Sequence, residues 1–345
     1  MIKILIVDDS ETETAILRHI IEEHADLEVI GCAKNGAEAV RLASLLKPDL
    51  ITMDIQMPVM NGLEATRMIM EQNPTPIVVI SSKLHEKDLD ITFKSLDAGA
   101  LCVLAKPSNI TSPTFDIEQK HIIDILRSMA EIKVIRRRAL TQKLITPLVT
   151  KEVHRGYEIV ALGASIGGTQ ALNTILRALP ADFPLPIVIT QHMMPGFIGG
   201  FTQWLSNNTK LGVQVAKHND VLNKGMVYFS PDNSHLEIHR GNGHLISKLV
   251  NGPPVSGFCP SITVLMQSIA KHCGIHAIGA LLTGMGRDGA DGLLAIKQAH
   301  GCTFIQDKES SIVFGMAGLA QALGAVEKII NLDQIADYLI KITTK

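Results

Sequence analysis

The feature that most constrains the fold is an alternation of short, β-rich apolar runs with amphipathic helical segments, which occurs near the N-terminus and restarts after Tyr157. A strand that is followed by a helix and a further strand returns to its sheet through a crossover, so this order predicts parallel sheets with helices on their faces. Functional side chains collect at the carboxyl ends of such strands. With 345 residues, the chain is long enough for two domains of this kind.

The spacing of the apolar runs predicts two domains and a linker. Five strands, at 2–7, 28–31, 50–53, 77–80 and 101–104, predict a doubly wound sheet within residues 1–125. A last helix from 116 to about 141 is expected to pass into a linker, which is placed at 126–155. Residues 156–345 predict a second doubly wound α/β domain, with strands at 158–162, 187–190 and 276–282. Within it, the runs 226–229, 235–239 and 243–249 are interpreted as an inserted antiparallel β-ribbon.

Composition and charge limit the location and the partners of the chain. A formal net charge of -2 gives no reason to expect nucleic-acid binding, and the three arginines at 136–138 are interpreted as a solvated helix face. The five cysteines are scattered without a Cys-x-x-Cys pair, which favours a reducing compartment. Because no apolar stretch approaches the ~20 residues of a membrane span, we expect a cytoplasmic protein without membrane insertion.

Charged and hydroxyl side chains stand at the strand ends of the first domain. Asp8 and Asp9 follow its first strand, Asp54 the third, Ser81 the fourth and Lys106 the fifth. Carboxylates gathered at one edge repel each other unless a cation balances them, and their oxygens suit Mg²⁺. We therefore expect a Mg²⁺ site in which Asp54 accepts a phosphoryl group, while Lys106 and Ser81 contact the phosphoryl oxygens.

With Met57-Pro58 and Asn61-Gly62 shaping the loop after Asp54, residues 1–125 resemble response-regulator receiver domains. The resemblance implies a flavodoxin-like fold and phosphoryl transfer from a histidine kinase to Asp54. The metal ligands are expected to be Asp8, Asp9, Asp54 and the backbone carbonyl of Gln56.

A Gly163-x-Ser165-x-Gly167 turn between a strand and a helix has the spacing of an exposed nucleophile. A nucleotide-binding loop or a serine helix cap is the alternative. His192 ends the next strand, where a base would be useful, and Asp288 follows a third strand, although alone it could be a helix cap. Together the three residues form a candidate nucleophile, base and orienter.

Several further motifs follow Tyr157: Gly163-Ala164-Ser165, Gln191-His192-Met193, Pro195-Gly196-Phe197, Pro253-Pro254-Val255, Thr283 to Gly286 with Asp288-Gly289, Gln306-Asp307 and Phe314-Gly315-Met316. With these motifs, the second domain resembles the catalytic domain of chemotaxis protein-glutamate methylesterases, the CheB family. The resemblance implies a Ser165, His192, Asp288 triad, with an oxyanion held by backbone N–H groups near Ile166 and Met285. The implied substrates are glutamyl methyl esters of chemoreceptors, with glutamine deamidation as a related reaction and no cofactor for the esterase.

Three positions depart from the family pattern around the triad. Ile166 stands where the family usually has threonine, and Cys259 and Thr263 stand where it favours an arginine and an aspartate. We interpret Cys259 as a pocket wall rather than a second nucleophile. The departures leave open an alternative function, a phosphorylation-gated adaptor whose hydrolase domain is inactive or shifted in substrate. In the main interpretation, the receiver covers the Ser165 cleft and phosphorylation favours an open form.

Overall fold

A computed structural model describes residues 1–81, 93–107, 115–132, 134 and 156–344, which belong to two compact units, Met1–Pro147 and Leu148–Lys345. The arginines at 136–138 and most of the expected linker lie outside the described residues. The linker limits, 126 and 155, therefore stay a prediction. Each unit is a sheet with helices on its faces.

The first unit contains a five-stranded parallel sheet in the order β2-β1-β3-β4-β5. Its strands are β1 Ile2–Val7, β2 Leu27–Ala33, β3 Leu50–Met53, β4 Ile77–Ser81 and β5 Cys102–Ala105. Its helices are α1 Glu11–Glu22, α2 Gly36–Leu46, α3 Gly62–Gln72, α4 at 93–98 and α5 Phe115–Ala130. The predicted doubly wound receiver fold is confirmed.

Side-chain caps determine where the first three helices begin. Ser10, Asn35 and Asn61 each accept a hydrogen bond from the backbone N–H three residues later, which satisfies a donor that the helix itself leaves unpaired. Strands β3 and β4 are buried along their whole length, because helices cover both faces of the sheet. The polar strand-end residues are thereby left at the carboxyl edge.

The second unit contains a seven-stranded, all-parallel sheet in the order β14-β13-β12-β6-β7-β9-β8. Its elements are β6 Ile159–Ala164, α6 Gly168–Ala178, β7 Ile187–Gln191, α7 Ile198–Asn208, β8 Gly212–Val215, β9 Met226–Phe229, β10 His235–Gly241, β11 His244–Val250, α8 Ile262–Cys273, β12 Ala277–Leu281, α9 Ala290–Gln298, β13 Cys302–Gln306, α10 Met316–Ala322, β14 Lys328–Ile330 and α11 Leu332–Thr343. None of the helices among the described residues has the length and apolarity that crossing a membrane requires.

The β-ribbon prediction is correct for two of its three runs and wrong for the third. Strands β10 and β11 form an antiparallel hairpin that packs on α8, where Ser268 Oγ accepts the Ile238 N–H. Met226–Phe229, in contrast, is strand β9 of the main sheet and pairs in parallel with β7 and β8. Its Val227, Tyr228 and Phe229 are all buried, so the alternation that distinguishes a half-exposed ribbon is missing from this strand.

Three neighbouring strands, β12, β6 and β7, bring the predicted triad to one edge of the sheet. Leu281 pairs with Gly163, and Ala164 pairs with Gln191. The chain therefore leaves all three strands at the same level, with Ser165 directly beside His192 and with the 282–289 loop on the other side of Ser165.

Candidate active site

The turn that carries Ser165 is held in place by the neighbouring strand ends. The Ser165 N–H donates to the Thr283 carbonyl (3.1 Å), and the Ser165 carbonyl accepts the Gly168 N–H and the Gln191 side-chain amide, each at 2.8 Å. The Thr283 hydroxyl donates to the Ile166 carbonyl at 2.9 Å. The turn is therefore fixed before and after its serine, by groups from both flanking strands.

A glycine allows the loop after β12 to pass close to the serine. A Cβ atom added at Gly284 would lie 2.7 Å from Ser165 Cβ and 2.3 Å from Met316 Sδ. Because real Cβ atoms essentially never make contacts below 3.0 Å, packing against Ser165 requires glycine at position 284.

His192 and Asp288 form a direct, buried pair. His192 Nε2 lies 2.9 Å from Asp288 Oδ2, and the two side chains are 7% and 1% exposed. An ionised carboxylate only accepts hydrogen bonds, so Nε2 carries the proton. Nδ1 of the neutral ring is then an unprotonated base, and it is buried without a hydrogen-bond partner among the described residues.

Asp288 is also surrounded by donors from the start of α8 and from its own loop. Its carboxylate accepts bonds from Ser261 Oγ (2.7 Å), Ile262 N (2.7 Å), Thr263 N (3.1 Å) and Gly289 N (3.0 Å). Burial alone would raise the pKa of Asp288, but the hydrogen bond and charge of His192 and the hydroxyls of Ser261 and Thr263 outweigh it and lower the pKa below the usual 3.8. Asp288 is therefore ionised at neutral pH.

Thr263, one of the departures from the family pattern, takes part in this arrangement. Its N–H donates to Asp288, and its hydroxyl oxygen accepts the Gly289 N–H at 2.8 Å. The threonine therefore supports the Asp288 loop, and Asp288 keeps a full set of donors beside it.

The structure joins two members of the predicted triad and places the third beside them. Ser165 is 9% exposed, and no hydrogen bond joins its Oγ to His192 among the described residues. Contacts of this kind often form only when substrate is bound. Ile166 and Met285 are the predicted oxyanion donors. The Ile166 N–H has no described backbone acceptor, and the Met285 residue is 40% exposed. The roles of all five residues stay predictions.

Sequence reasoning missed two side chains that contact the pair. The Ser261 hydroxyl donates to Asp288 and also caps α8, where it accepts the Val264 N–H. Phe258 stacks on the His192 ring, with centroids 3.7 Å apart and ring planes inclined by 4°. The only sequence signal for Phe258 was an aromatic residue in a loop rich in glycine and proline. That signal indicates no partner.

Cys259, next to Phe258, has the properties of a neutral thiol. Burial raises the pKa of Cys259, and a thiolate is the reactive form of cysteine. The cysteine is therefore not activated as a nucleophile.

The first unit has its own polar cleft at the carboxyl edge of its sheet. Lys106 Nζ lies 2.7 Å from Asp8 Oδ2 and 3.1 Å from Asp54 Oδ2, and the three side chains are at most 9% exposed. Carboxylate oxygens of Asp8, Asp9 and Asp54 lie within 4.8 Å of one another. A cleft of about 250 Å³ opens there and is also lined by Gln56 and Ser81.

Electrostatics make this cleft suitable for a cation. Burial raises the pKa of Asp54, an effect that Lys106 partly offsets and Asp8 reinforces. Burial opposes the charge of Lys106, but its hydrogen bond to Asp8 and the charges of Asp54 and Asp8 outweigh that effect and raise its pKa. Three clustered carboxylates balanced by one ammonium leave room for further positive charge, and their oxygens are the ligands that Mg²⁺ prefers. The residues present therefore fit a magnesium ion.

Comparisons with known proteins agree with both predicted domains. Residues 160–339 match the family model described as CheB methylesterase, and residues 4–112 match that of the response regulator receiver domain. A protein-glutamate methylesterase/protein-glutamine glutaminase of Methanospirillum hungatei is 41% identical over 94% of this chain and 93% of its own length. A protein of the same name from Syntrophus aciditrophicus is 40% identical over 99% of this chain and 98% of its own length. The crystal structure of the Thermotoga maritima CheB methylesterase catalytic domain is 31% identical, with a TM-score of 0.53, and covers 54% of this chain and 98% of that one.

Proposed function

Because this chain belongs to the CheB methylesterase family and carries a receiver domain, we propose that it hydrolyses glutamate methyl esters on chemoreceptors under the control of phosphorylation. The names of its relatives extend the proposal to deamidation of protein glutamine. The protein acts in the cytoplasm, on the cytoplasmic part of a methyl-accepting receptor. The observation that carries the proposal is the buried His192–Asp288 pair, which leaves Nδ1 as a base beside the end of the Ser165 strand.

In the first half of the reaction, Ser165 Oγ attacks the ester carbonyl carbon while His192 Nδ1 takes the hydroxyl proton. The Nε2 proton stays between the ring and Asp288, whose negative charge stabilises the imidazolium. The carbonyl oxygen becomes an oxyanion, and the N–H groups of Ile166 and Met285 donate to it. Collapse of this intermediate breaks the bond to methoxide, which leaves as methanol with the proton from Nδ1.

The second half of the reaction releases the glutamate. Water attacks the acyl group on Ser165, Nδ1 takes a proton from that water, and the same proton returns to Ser165 Oγ as the acid leaves. A glutamine side chain follows the same path with ammonia as the leaving group. Neither path uses a cofactor.

The receiver controls this chemistry through Asp54. A histidine kinase donates a phosphoryl group to the Asp54 carboxylate, and Lys106 and Ser81 contact the phosphoryl oxygens. Asp8, Asp9, Asp54 and the Gln56 carbonyl would hold a magnesium ion, which would supply the positive charge that phosphoryl transfer needs. Phosphorylation shifts the population toward a form with an accessible Ser165.

Methanol release from a methylated receptor fragment tests the hydrolase. We expect the full-length protein to be active and Ser165→Ala to lose on the order of 10⁶ in turnover. If wild type and Ser165→Ala both release nothing, the adaptor function replaces the hydrolase.

A small-molecule phosphodonor with Mg²⁺ tests the control. The phosphodonor should raise the rate of methanol release by the wild-type protein and leave the rate of the Asp54→Ala variant unchanged. Equal wild-type rates with and without phosphodonor would contradict phosphorylation control.

A further inference from the structure

The side chain of His192 has a second contact, apart from Asp288, that restrains its ring. The phenyl ring of Phe258 lies flat against it, with 3.7 Å between centroids and 4° between planes. A ring held only by its Nε2 hydrogen bond could pivot about that bond and swing Nδ1 away from Ser165. A flat aromatic ring on its face blocks this rotation, so the stack determines the direction of Nδ1.

Phe258 is itself fixed by a tight two-residue turn. The Val255 N–H donates to the Phe258 carbonyl (3.0 Å), and the Phe258 N–H donates to the Val255 carbonyl (3.1 Å). Ser256 and Gly257 at the tip have φ angles of 54° and 86°, as the mirror-image hairpin turns require. The backbone of Phe258 is therefore held independently of the ring that it covers.

The same stretch of chain then provides the donors of Asp288. Ser261, three residues after Phe258, donates its hydroxyl to the carboxylate, and the N–H groups of Ile262 and Thr263 follow. One short segment, 258–263, thus contacts both the base and the residue that orients it. A displacement of this segment would disturb both together.

We propose that Phe258 is a positioning residue for His192, holding Nδ1 toward Ser165 and stabilising the imidazolium that forms when the serine proton is taken. The negative face of an aromatic ring attracts a cation stacked on it, and that charge exists only after proton transfer. Phe258 therefore acts on the transition state more than on substrate binding. The inference rests on the proposed hydrolase function.

Replacing the ring tests the proposal in the full-length protein. Phe258→Leu should lower kcat by about 10- to 100-fold, the scale of a displacement of about 1 Å, and should change KM by less than about threefold. Phe258→Tyr, which keeps the stack, should retain kcat within about threefold. Unchanged kcat in the leucine variant, or an equal loss in the tyrosine variant, would overturn the proposal.

A double substitution separates positioning from a general effect on structure. If Phe258 acts through His192, then adding Phe258→Leu to His192→Ala should cause no further loss of the residual rate. A loss equal to that in the wild-type background would contradict the proposal. The fluorescence of Trp204, the single tryptophan, checks that each variant is folded.

Nitrogen NMR of histidine-labelled protein gives a reading that needs no substrate. Wild type should show a protonated Nε2 and an unprotonated Nδ1 for His192, and Phe258→Leu should show faster exchange of the Nε2 proton. An identical His192 signal in both proteins would refute the stack as a restraint. If wild type lacks hydrolysis that depends on Ser165, the proposed function fails while this measurement still decides the role of Phe258.

Discussion

The hydroxyl of Thr283 offers the sharpest test of how the serine turn is supported. This side chain is 1% exposed; it donates to the Ile166 carbonyl at 2.9 Å and accepts the Val313 N–H at 2.9 Å. Thr283→Val keeps the shape and removes both bonds. A fully buried group left unpaired costs about 1–3 kcal/mol. Because both of these bonds are only partly buried, we expect the free energy of unfolding to fall by the lower part of the summed range, about 2–4 kcal/mol. Because the Ile166 carbonyl belongs to the serine turn, kcat should fall by about 100-fold.

Urea unfolding followed by the fluorescence of Trp204 measures the loss in the free energy of unfolding, because this buried tryptophan lies in the second unit, as Thr283 does. With a urea slope of about 2 kcal/mol/M, the midpoint should fall by about 1–2 M. The rate of ester hydrolysis measures the fall in kcat, and KM should change little because no substrate contact is removed.

Thr283→Ser is the matched control, since it keeps the hydroxyl and removes one methyl group. We expect it to lose about 1 kcal/mol of stability and to keep most of its activity. If the serine and valine variants lost the same stability and the same activity, packing rather than hydrogen bonding would support the turn, and the reasoning would be wrong.

Three further predictions follow from the contacts described above. Gly284→Ala, whose Cβ would lie 2.7 Å from Ser165 Cβ, should abolish most hydrolysis, whereas Gly199→Ala, with nothing within 4 Å, should be neutral in the same assay. The pKa of Asp288 is lower in the folded protein than in the unfolded chain. The stability that ionised Asp288 gives to the fold is therefore complete above its unfolded pKa of about 4 and is lost as pH falls through the folded pKa. The gap in unfolding free energy between wild type and Asp288→Asn should therefore narrow only below about pH 4 in urea titrations, and narrowing near neutrality would contradict the assignment. Lys106→Gln should lower the free energy of unfolding of the first unit, measured by calorimetry, by about 3–5 kcal/mol, because it leaves buried carboxylates without their cation. Added Mg²⁺ should restore part of that stability. A loss that Mg²⁺ leaves unchanged would argue against the metal site.

The architecture of both units could be predicted because the signals for it are local. Buried parallel strands require continuous apolar runs, and helix caps require a few residue types, as at Ser10 and Asn61. The prediction failed at Met226–Phe229, where three buried residues in a row carry no periodicity that could separate a sheet strand from a ribbon. Which strand a short run joins depends on pairing with distant segments.

The polar residues of the two sites were predictable for a related reason. Parallel strands end at one edge, so residues after successive strands meet there, as His192 and Asp288 do across 96 positions of sequence. The sequence by itself therefore determined the two folds, the edge at which each site lies and the residue types present there.

Only the tertiary structure decided which atoms touch. The proton on His192 Nε2, the free Nδ1, the Ser261 hydroxyl on Asp288 and the Phe258 ring on the imidazole all depend on loops that the sheet brings together. Loop conformation and side-chain rotamers depend on packing between segments far apart in the chain, and residue spacing does not predict that packing. For this reason the sequence alone could place His192 at the site, whereas the orientation of its ring came from the folded molecule.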